Sequence, residues 1–140
     1  MKDRVFLDTN ILVYAYDRSD LRKQAIAQQL LMNGMENESA VLSVQVLGEF
    51  FTVVTRRIKR PMNPAEAREA IELFSNLIVQ EIDLGLVQRA IDTIKSYKIS
   101  YWDALIIAAA ERARCKRILS EDLNDSQLYN GISVVNPFKS

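Results

Sequence analysis

The most consequential absence in this chain of 140 residues is histidine. Without it, a histidine general base, a serine or cysteine triad that uses histidine, and a histidine-ligated zinc site are all excluded. Cys115 is the only cysteine, so the chain can form neither an internal disulfide nor a CxxC redox or metal motif, and we expect this thiol to serve packing. Any hydrolytic chemistry must therefore come from carboxylates, lysine or an oxygen-ligated metal.

Glycine, proline and long apolar runs are also scarce. The four glycines are isolated from one another, which removes a P-loop and a dinucleotide-binding fingerprint. No segment reads as a linker or a repeat, and 140 residues suit one compact unit, so we predict a single domain over residues 1–140. The apolar stretch at residues 5–7 is interrupted by Asp8, and no run of eighteen apolar residues occurs. These features predict a cytoplasmic protein that does not enter a membrane.

Positive charge is not in excess either, because the formal net charge is zero and the sequence pI is about 6.3. Binding of nucleic acid by overall charge is therefore not indicated, although local patches remain available. Two such patches stand out: Arg56, Arg57, Lys59 and Arg60, and then Arg112, Arg114, Lys116 and Arg117. Each patch is either a solvated helix end, where cations suit the helix dipole, or a set of phosphate contacts.

Apolar spacing and turn residues predict alternating strands and helices. Strands are expected at 4–7, 40–43, 77–82, 117–120 and 132–135, and helices from about Ile11, at 21–32, 44–58 after a Ser43 cap, 64–76 from Pro64, 84–97 and 102–113. The helix at 102–113 is apolar on nearly every face and should be central and buried. This alternation predicts an α/β fold with a short, mainly parallel central β-sheet flanked by helices on both faces. Such sheets bind ligands at the carboxyl ends of their strands.

Two acids follow predicted strands directly. Asp8 ends the run Val5-Phe6-Leu7-Asp8, and Asp122 ends Ile118-Leu119-Ser120-Glu121-Asp122. If those two strands are neighbours in the sheet, their acids meet. The structural alternatives are that Asp8 only caps the helix after it and that Asp122 is a turn acid in the polar run 121–126.

Two further acids lie on helices that look buried. Asp103 precedes Ala-Leu-Ile-Ile-Ala-Ala-Ala, where an unpaired carboxylate is costly and a bound cation would relieve that cost. Glu49 stands three residues after Val46 and four before Val53, on a largely apolar helical face. The alternatives are a capping box from Ser100 to Asp103 and a surface glutamate. Together the four acids indicate a carboxylate cluster for a hard divalent cation such as Mg²⁺ or Mn²⁺, which can activate water without a protein base.

The order and spacing of these residues resemble the PIN-domain family across essentially the whole chain. The segments that carry the resemblance are Asp8-Thr9-Asn10, Glu49, Tyr101-Trp102-Asp103-Ala104-Leu105-Ile106 and Ser120-Glu121-Asp122-Leu123, and the ending Val134-Val135-Asn136-Pro137-Phe138 is typical of small bacterial VapC-type toxins. The resemblance implies a Mg²⁺- or Mn²⁺-dependent endoribonuclease that cleaves single-stranded RNA to a 5′-phosphate and a 3′-hydroxyl. It assigns Asp8, Glu49, Asp103 and Asp122 to an acidic metal-binding tetrad, with Thr9, Asn10 and Ser120 as supporting polar residues. Glu121 and Asp125 are extra acids whose part in metal binding stays open.

The resemblance also implies partners: a cognate antitoxin lying across a groove near the site, and a second copy in a homodimer. Tyr14, Tyr16, Phe50 and Phe51 suit either contact, but we expect most of them in the core. For RNA contact our hypothesis is the first basic patch, which begins about 11 Å along the helix from Glu49 and ends about 16 Å from it.

The four acids are compatible with two other functions. A phosphorelay receiver also gathers acids at strand ends, but here the second acid lies within a helix and no conspicuous lysine follows a late strand. A non-catalytic RNA-binding or scaffold domain with the same fold is the remaining alternative.

Overall fold

A computed structural model describes residues 3–139. In this range short strands alternate with helices, and the helices come in pairs between successive strands. The elements are β1 (Arg4–Leu7), α1 (Thr9–Tyr16), α2 (Leu21–Glu36), β2 (Ala40–Ser43), α3 (Val44–Arg56), α4 (Pro64–Phe74), β3 (Ile78–Gln80), α5 (Leu84–Ser96), α6 (Tyr101–Arg112), β4 (Cys115–Leu119), β5 (Leu128–Tyr129) and β6 (Ile132–Val135). Each predicted helix and strand is present, and most bounds differ by one to four residues at an end.

Local side-chain chemistry accounts for where the helices begin. Ser43 caps α3 as predicted, and Pro64 opens α4 behind a full capping box between Asn63 and Glu66. Ser100 caps α6, which therefore starts at Tyr101, one residue before the predicted start.

One strand, β5, was missed by the sequence reasoning. It forms a hairpin with β6 through Asn130 and Gly131, which have φ values of 52° and 84°. Two consecutive positive φ values are those of a type I′ turn, for which Asn-Gly is the favoured pair. The signal for β5 was therefore present in the sequence, but the strand is only two residues long.

The sheet has the order β3-β2-β1-β4-β6-β5, and within residues 3–139 only β5 runs antiparallel to its neighbour. From β1 the chain moves outward through β2 to β3, and then crosses back to place β4 on the other side of β1. The boundary between β1 and β4 is therefore the topological switch point, where α/β sheets bind ligands.

Helices cover both faces, as predicted. Right-handed crossovers place α1–α4 on one face and α5–α6 on the other, because the chain reverses its direction across the sheet after β3. In agreement, α1 packs against α2 and α3, α3 packs against α4, and α5 packs against α6. Residues 104–110 of α6 are all buried, which confirms that α6 is the central helix. None of the helices described is long and apolar enough to cross a membrane.

Of the four aromatic residues for which we expected mostly core positions, Phe50 is in the core, while Tyr14 and Tyr16 are partly buried and pack against it. Phe50 is fully buried and meets the ring of Tyr16 edge-on with the centroids 5.8 Å apart, while Tyr14 meets Phe138 at 4.9 Å. Phe51 is the exception, at 37% exposed. Cys115 is buried and unpaired as expected, and burial raises the pKa of its thiol to about 12.

Candidate metal centre

The acids that follow β1 and β4 meet at the switch point. The two strands pair in parallel with Leu7 opposite Leu119, and the backbone N–H of Asp8 donates to the Leu119 carbonyl at 3.0 Å. The Ser120 hydroxyl then donates to Asp8 Oδ2 at 2.7 Å and accepts from the backbone N–H of Asp122 at 3.1 Å. Ser120 therefore joins the two acid-bearing turns, which lie 112 residues apart in sequence from Ser120 to Asp8.

Asp8 occupies the cap position of α1, yet it does not make the usual cap bond. Its Oδ1 accepts from the backbone N–H of Thr9, the next residue, instead of from a residue two or three positions into the helix. Only 8% of Asp8 is exposed, and burial raises the pKa of its carboxyl to about 6. The charges of Asp122 and Glu49 add to this increase, while the bonds from Ser120 and Thr9 oppose it. Asp8 is thus a buried carboxylate close to other negative charges rather than an ordinary cap.

The first two residues of α1 connect Asp8 to two of the other acids. Thr9 Oγ1 donates to Glu49 Oε1 at 2.8 Å, and Asn10 Nδ2 donates to Asp122 Oδ2 at 3.2 Å. Each of the three polar residues that the sequence singled out, Thr9, Asn10 and Ser120, therefore bonds to an acid. Glu49 is half-buried and Asp122 is exposed.

Asp103 lies in the first turn of α6, where its backbone N–H donates to the Ser100 hydroxyl at 3.1 Å. The reciprocal bond of a capping box, from the Ser100 backbone to the Asp103 carboxylate, is not formed, in contrast to the Asn63–Glu66 box. Burial raises the pKa of Asp103. A hydrogen bond from the Ser100 side chain opposes that increase, so the carboxylate lacks only the backbone bond of a capping box.

All four acids line one cleft of about 680 Å³. Glu49 comes from α3, Asp103 from the start of α6, and Asp8 and Asp122 from the turns after β1 and β4. The remaining cleft lining comes mainly from α3, with Ile82 and residues at the start of α6. The only cation in this lining is Arg57, at the C-terminal end of α3. The cleft is therefore strongly negative at its carboxylate end.

The donor set of the cleft fits a hard divalent cation, because it consists of carboxylate oxygens without nitrogen or sulfur ligands. As the side chains stand, however, no three Asp, Glu or Cys side chains in the described part of the chain are arranged so that they could hold an ion. Mutual repulsion favours such a spread arrangement, since like charges in a partly buried site avoid one another. The residues fit a cation by donor type and shared location, and not by a closed coordination shell.

The two extra acids point elsewhere. Glu121 forms an ion pair with Lys23 and accepts from the Tyr14 hydroxyl at 2.6 Å. Asp125 accepts from the backbone N–H of Asn136 at 2.8 Å, a bond that lowers the pKa of its carboxyl. Neither residue lines the acidic cleft.

The first basic patch is divided by the end of α3. Arg57 lines the acidic cleft, whereas Lys59 and Arg60 line a separate groove of about 830 Å³ that contains none of the four acids, and Arg56 is exposed in the last turn of α3. The second basic patch lies where α6 ends and β4 begins, at the edge of the sheet opposite to the acids, and its Arg112 is paired with Asp83 at 2.7 Å.

Two cleft residues were not assigned a role from sequence. Gln45, in the first turn of α3, donates from Nε2 to the backbone carbonyl of Trp102 at 3.2 Å and so ties α3 to α6. Trp102 stands beside Asp103 and is 60% exposed. The one available signal was a tryptophan next to a predicted acid, which the apolar character of α6 concealed.

The mainly parallel sheet makes this an α/β protein, and its four acids lie at the switch point, where proteins of this class generally bind ligands. The chain belongs to the PIN domain family, whose model matches residues 5–129. Comparison with curated protein sequences finds no significant match.

Solved structures with the same fold include three toxin or toxin–antitoxin proteins. VapC20 of Mycobacterium tuberculosis, described as a sarcin-ricin loop cleaving toxin, is 22% identical with a TM-score of 0.66, over 84% of this chain and 89% of that one. A toxin–antitoxin complex from Klebsiella pneumoniae is 20% identical with a TM-score of 0.69, over 95% and 97%. DNA-bound VapBC from Salmonella typhimurium is 14% identical with a TM-score of 0.68, over 95% and 97%. At these identities the likeness concerns the fold.

Proposed function

We propose that this chain is a single PIN-like domain, residues 1–140, that acts as a Mg²⁺- or Mn²⁺-dependent endoribonuclease on single-stranded RNA. The observation that carries the proposal is the convergence of Asp8, Glu49, Asp103 and Asp122 on one cleft at the switch point of the sheet. Membership of the PIN domain family and the fold shared with an RNA-cleaving toxin support it.

The cleft requires a cation before it can accept RNA. A phosphodiester is anionic, and four carboxylates would repel it unless positive charge lay between them. Divalent metal would be held by Asp8, Glu49, Asp103 and Asp122. When bound, it would neutralise the phosphate and lower the pKa of a water molecule.

The chain's own residues have distinct tasks in this site. Ser120 holds the Asp8 carboxylate in one orientation through the 2.7 Å bond to Oδ2, and Thr9 holds Glu49 in the same way. Burial raises the pKa of Asp8 to about 6. Positive charge in the cleft would lower this pKa and so favour the carboxylate form. Arg57, at the far end of the cleft, is the cation placed to contact the RNA backbone. Arg56 lies outside the cleft lining and Lys59 and Arg60 line the separate groove, so they are not part of this contact.

The partners follow from the structural relatives. The Klebsiella pneumoniae structure is a toxin–antitoxin complex, and the Salmonella typhimurium structure is VapBC on DNA. We therefore propose that the chain is the toxin of a toxin–antitoxin pair, bound and inhibited by a cognate antitoxin. On the family resemblance alone, we also propose that it forms a homodimer and works in the cytoplasm.

Cleavage of a labelled single-stranded RNA tests the proposed activity directly. The purified protein should cut the RNA in Mg²⁺ or Mn²⁺, stop in EDTA and leave 5′-phosphate ends. Asp103→Asn should abolish cleavage while retaining the fold. The matched control is Asp92→Asn, which removes the same charge from an exposed position on α5, outside the cleft, and should cleave as the wild type does.

Undiminished cleavage in EDTA, or an Asp103→Asn variant that cleaves normally, would contradict the proposed mechanism. RNA binding without cleavage in either metal would instead identify a non-catalytic PIN-like domain.

A further inference from the structure

Trp102 is the largest apolar side chain that the acidic cleft exposes. It is 60% exposed, although the seven residues at 104–110 of the same helix are all buried. Burial would normally be favourable for an indole, so this exposure requires a reason other than packing. Trp102 lines the cleft and precedes Asp103 in the chain, which places the indole beside a proposed metal ligand.

The orientation of Trp102 is fixed from two sides. Its ring meets that of Tyr101 edge-on, with the centroids 5.0 Å apart and the planes at 76°. Its backbone carbonyl accepts from Gln45 Nε2 at 3.2 Å, which joins the start of α6 to the first turn of α3. An edge-to-face contact involves at most one face of the indole, so the other face stays open on a side chain that is 60% exposed.

Gly48 is a second unexplained feature of the same cleft. It lies inside α3, where glycine is a poor helix former, and a Cβ added there would meet nothing within 4 Å. No close approach of another element therefore requires glycine at this position. Its effect is to leave the cleft wall without a side chain between Gln45, which bonds to the Trp102 carbonyl, and Glu49.

We propose that Trp102 is a stacking platform for a nucleobase of single-stranded RNA, with the nucleotide passing over the cleft wall at Gly48. This inference rests on the proposed ribonuclease function and names how its substrate is held. Trp102 becomes a substrate-binding residue, next to the carboxylates but without a part in the chemistry.

The charges and dimensions of the cleft favour RNA as the occupant. From Gln45 to Arg57 is about 18 Å along α3, with Glu49 about a third of the way. An aromatic face near one end, carboxylates for metal between, and Arg57 at the other end match the base, scissile phosphate and neighbouring phosphate of a short single strand. Aromatic faces stack on any base, so the platform contributes affinity without demanding a sequence.

Trp102 is the only tryptophan in the chain, so intrinsic fluorescence reports on it alone. The probe is a single-stranded RNA of about twelve nucleotides, mixed in Mg²⁺ with the wild-type protein in a stopped-flow instrument so that the fluorescence is read before cleavage removes the strand. Stacking should quench the fluorescence saturably. An abasic ribose-phosphate strand of the same length should leave it unchanged, because it offers charge without a base.

Affinity for the labelled RNA, measured by stopped-flow anisotropy before cleavage occurs, gives the second readout. Trp102→Ala should weaken binding about 5- to 150-fold, whereas Trp102→Phe should recover most of the loss. Leu128→Ala is the matched control, because Leu128 is 57% exposed on β5 and lies outside the cleft. It should bind RNA as its parent does.

Equal binding by Trp102→Ala, or fluorescence that RNA does not change, overturns the proposal. Fluorescence that instead changes with protein concentration alone would place a second copy of the chain on Trp102 and would overturn it as well. Cleavage by the wild type without quenching leaves the ribonuclease function intact and removes only the platform. Quenching with no cleavage by the wild type does the reverse.

Discussion

Replacing Asp8 by Asn tests the electrostatics of the cleft most directly. Burial raises the pKa of this carboxyl from its ordinary value of 3.8 to about 6, so the folded protein favours the neutral form. The stability associated with that neutral form is fully present below the unfolded-state pKa and is lost as the pH rises through the folded-state pKa. At pH 7.5 the raised pKa of Asp8 therefore costs the metal-free protein about 3 kcal/mol, and at pH 5 about half as much.

The substitution also disturbs one hydrogen bond. The Ser120 hydroxyl already accepts from the N–H groups of Asp122 and Leu123 and donates to Asp8 Oδ2. An amide nitrogen in place of Oδ2 would bring a third donor to the same oxygen, with a loss of about 1 kcal/mol. Asp8→Asn should therefore be about 2 kcal/mol more stable than the wild type at pH 7.5, and less than about 1 kcal/mol more stable at pH 5.

Urea unfolding in EDTA at the two pH values measures both differences. Asp92 is an exposed aspartate on α5, so Asp92→Asn gives the baseline for removing a charge that is already open to solvent. A stability difference for Asp8→Asn that is the same at pH 5 and pH 7.5, or a less stable variant at pH 7.5, would refute the reasoning. The stabilised variant should not cleave RNA.

Three further changes are informative. A ligand that binds only the folded state raises its stability, so Mg²⁺ or Mn²⁺ at about 100 times its dissociation constant should stabilise the wild type by about 2.7 kcal/mol in thermal unfolding. Asp8→Asn should lose this increase. An equal increase for the variant would place the metal elsewhere. Lys23→Met removes the cation paired with Glu121, in the loop that carries Asp122. It should weaken metal-induced stabilisation while lowering the free energy of unfolding by at most about 1 kcal/mol. Lys139→Met, the control, breaks an exposed pair with Asp125 and should leave metal binding unchanged. Gly48→Ala should stabilise α3 by about 1 kcal/mol, because alanine is the better helix former. Gly34→Ala should destabilise the fold by about 1 to 3 kcal/mol, because its Cβ would lie 2.4 Å from that of Ala40. The two variants should shift the denaturant midpoint of unfolding in opposite directions.

Local pattern was enough to locate most elements and the donors of the candidate site. Apolar spacing indicated the helices, and Ser43 and Pro64 marked two of their starts, because these signals act within a few residues. The absence of histidine and the positions of four acids at strand ends and on apolar helices narrowed the metal chemistry to oxygen ligands. The short strand β5 was recoverable in principle from Asn130-Gly131, but two residues are too few for a periodic signal.

Distances between remote residues were decided only by the tertiary structure. The pairing of β1 with β4, across more than a hundred residues, is what brings Asp8 beside Ser120, and periodicity carries no information about which strands are neighbours. The position at which α3 ends likewise divides a patch that is continuous in the sequence. Arg57 lies in the acidic cleft just after the last residue of α3, Arg56, whereas Lys59 and Arg60 line another groove. Trp102 looked like one more apolar residue of a buried helix, yet it lies in the first turn, beyond the sheet that covers the rest of α6. Composition and local spacing thus determined the chemical character of the site, whereas strand order and helix ends determined which groups share it, because contacts between distant segments depend on topology.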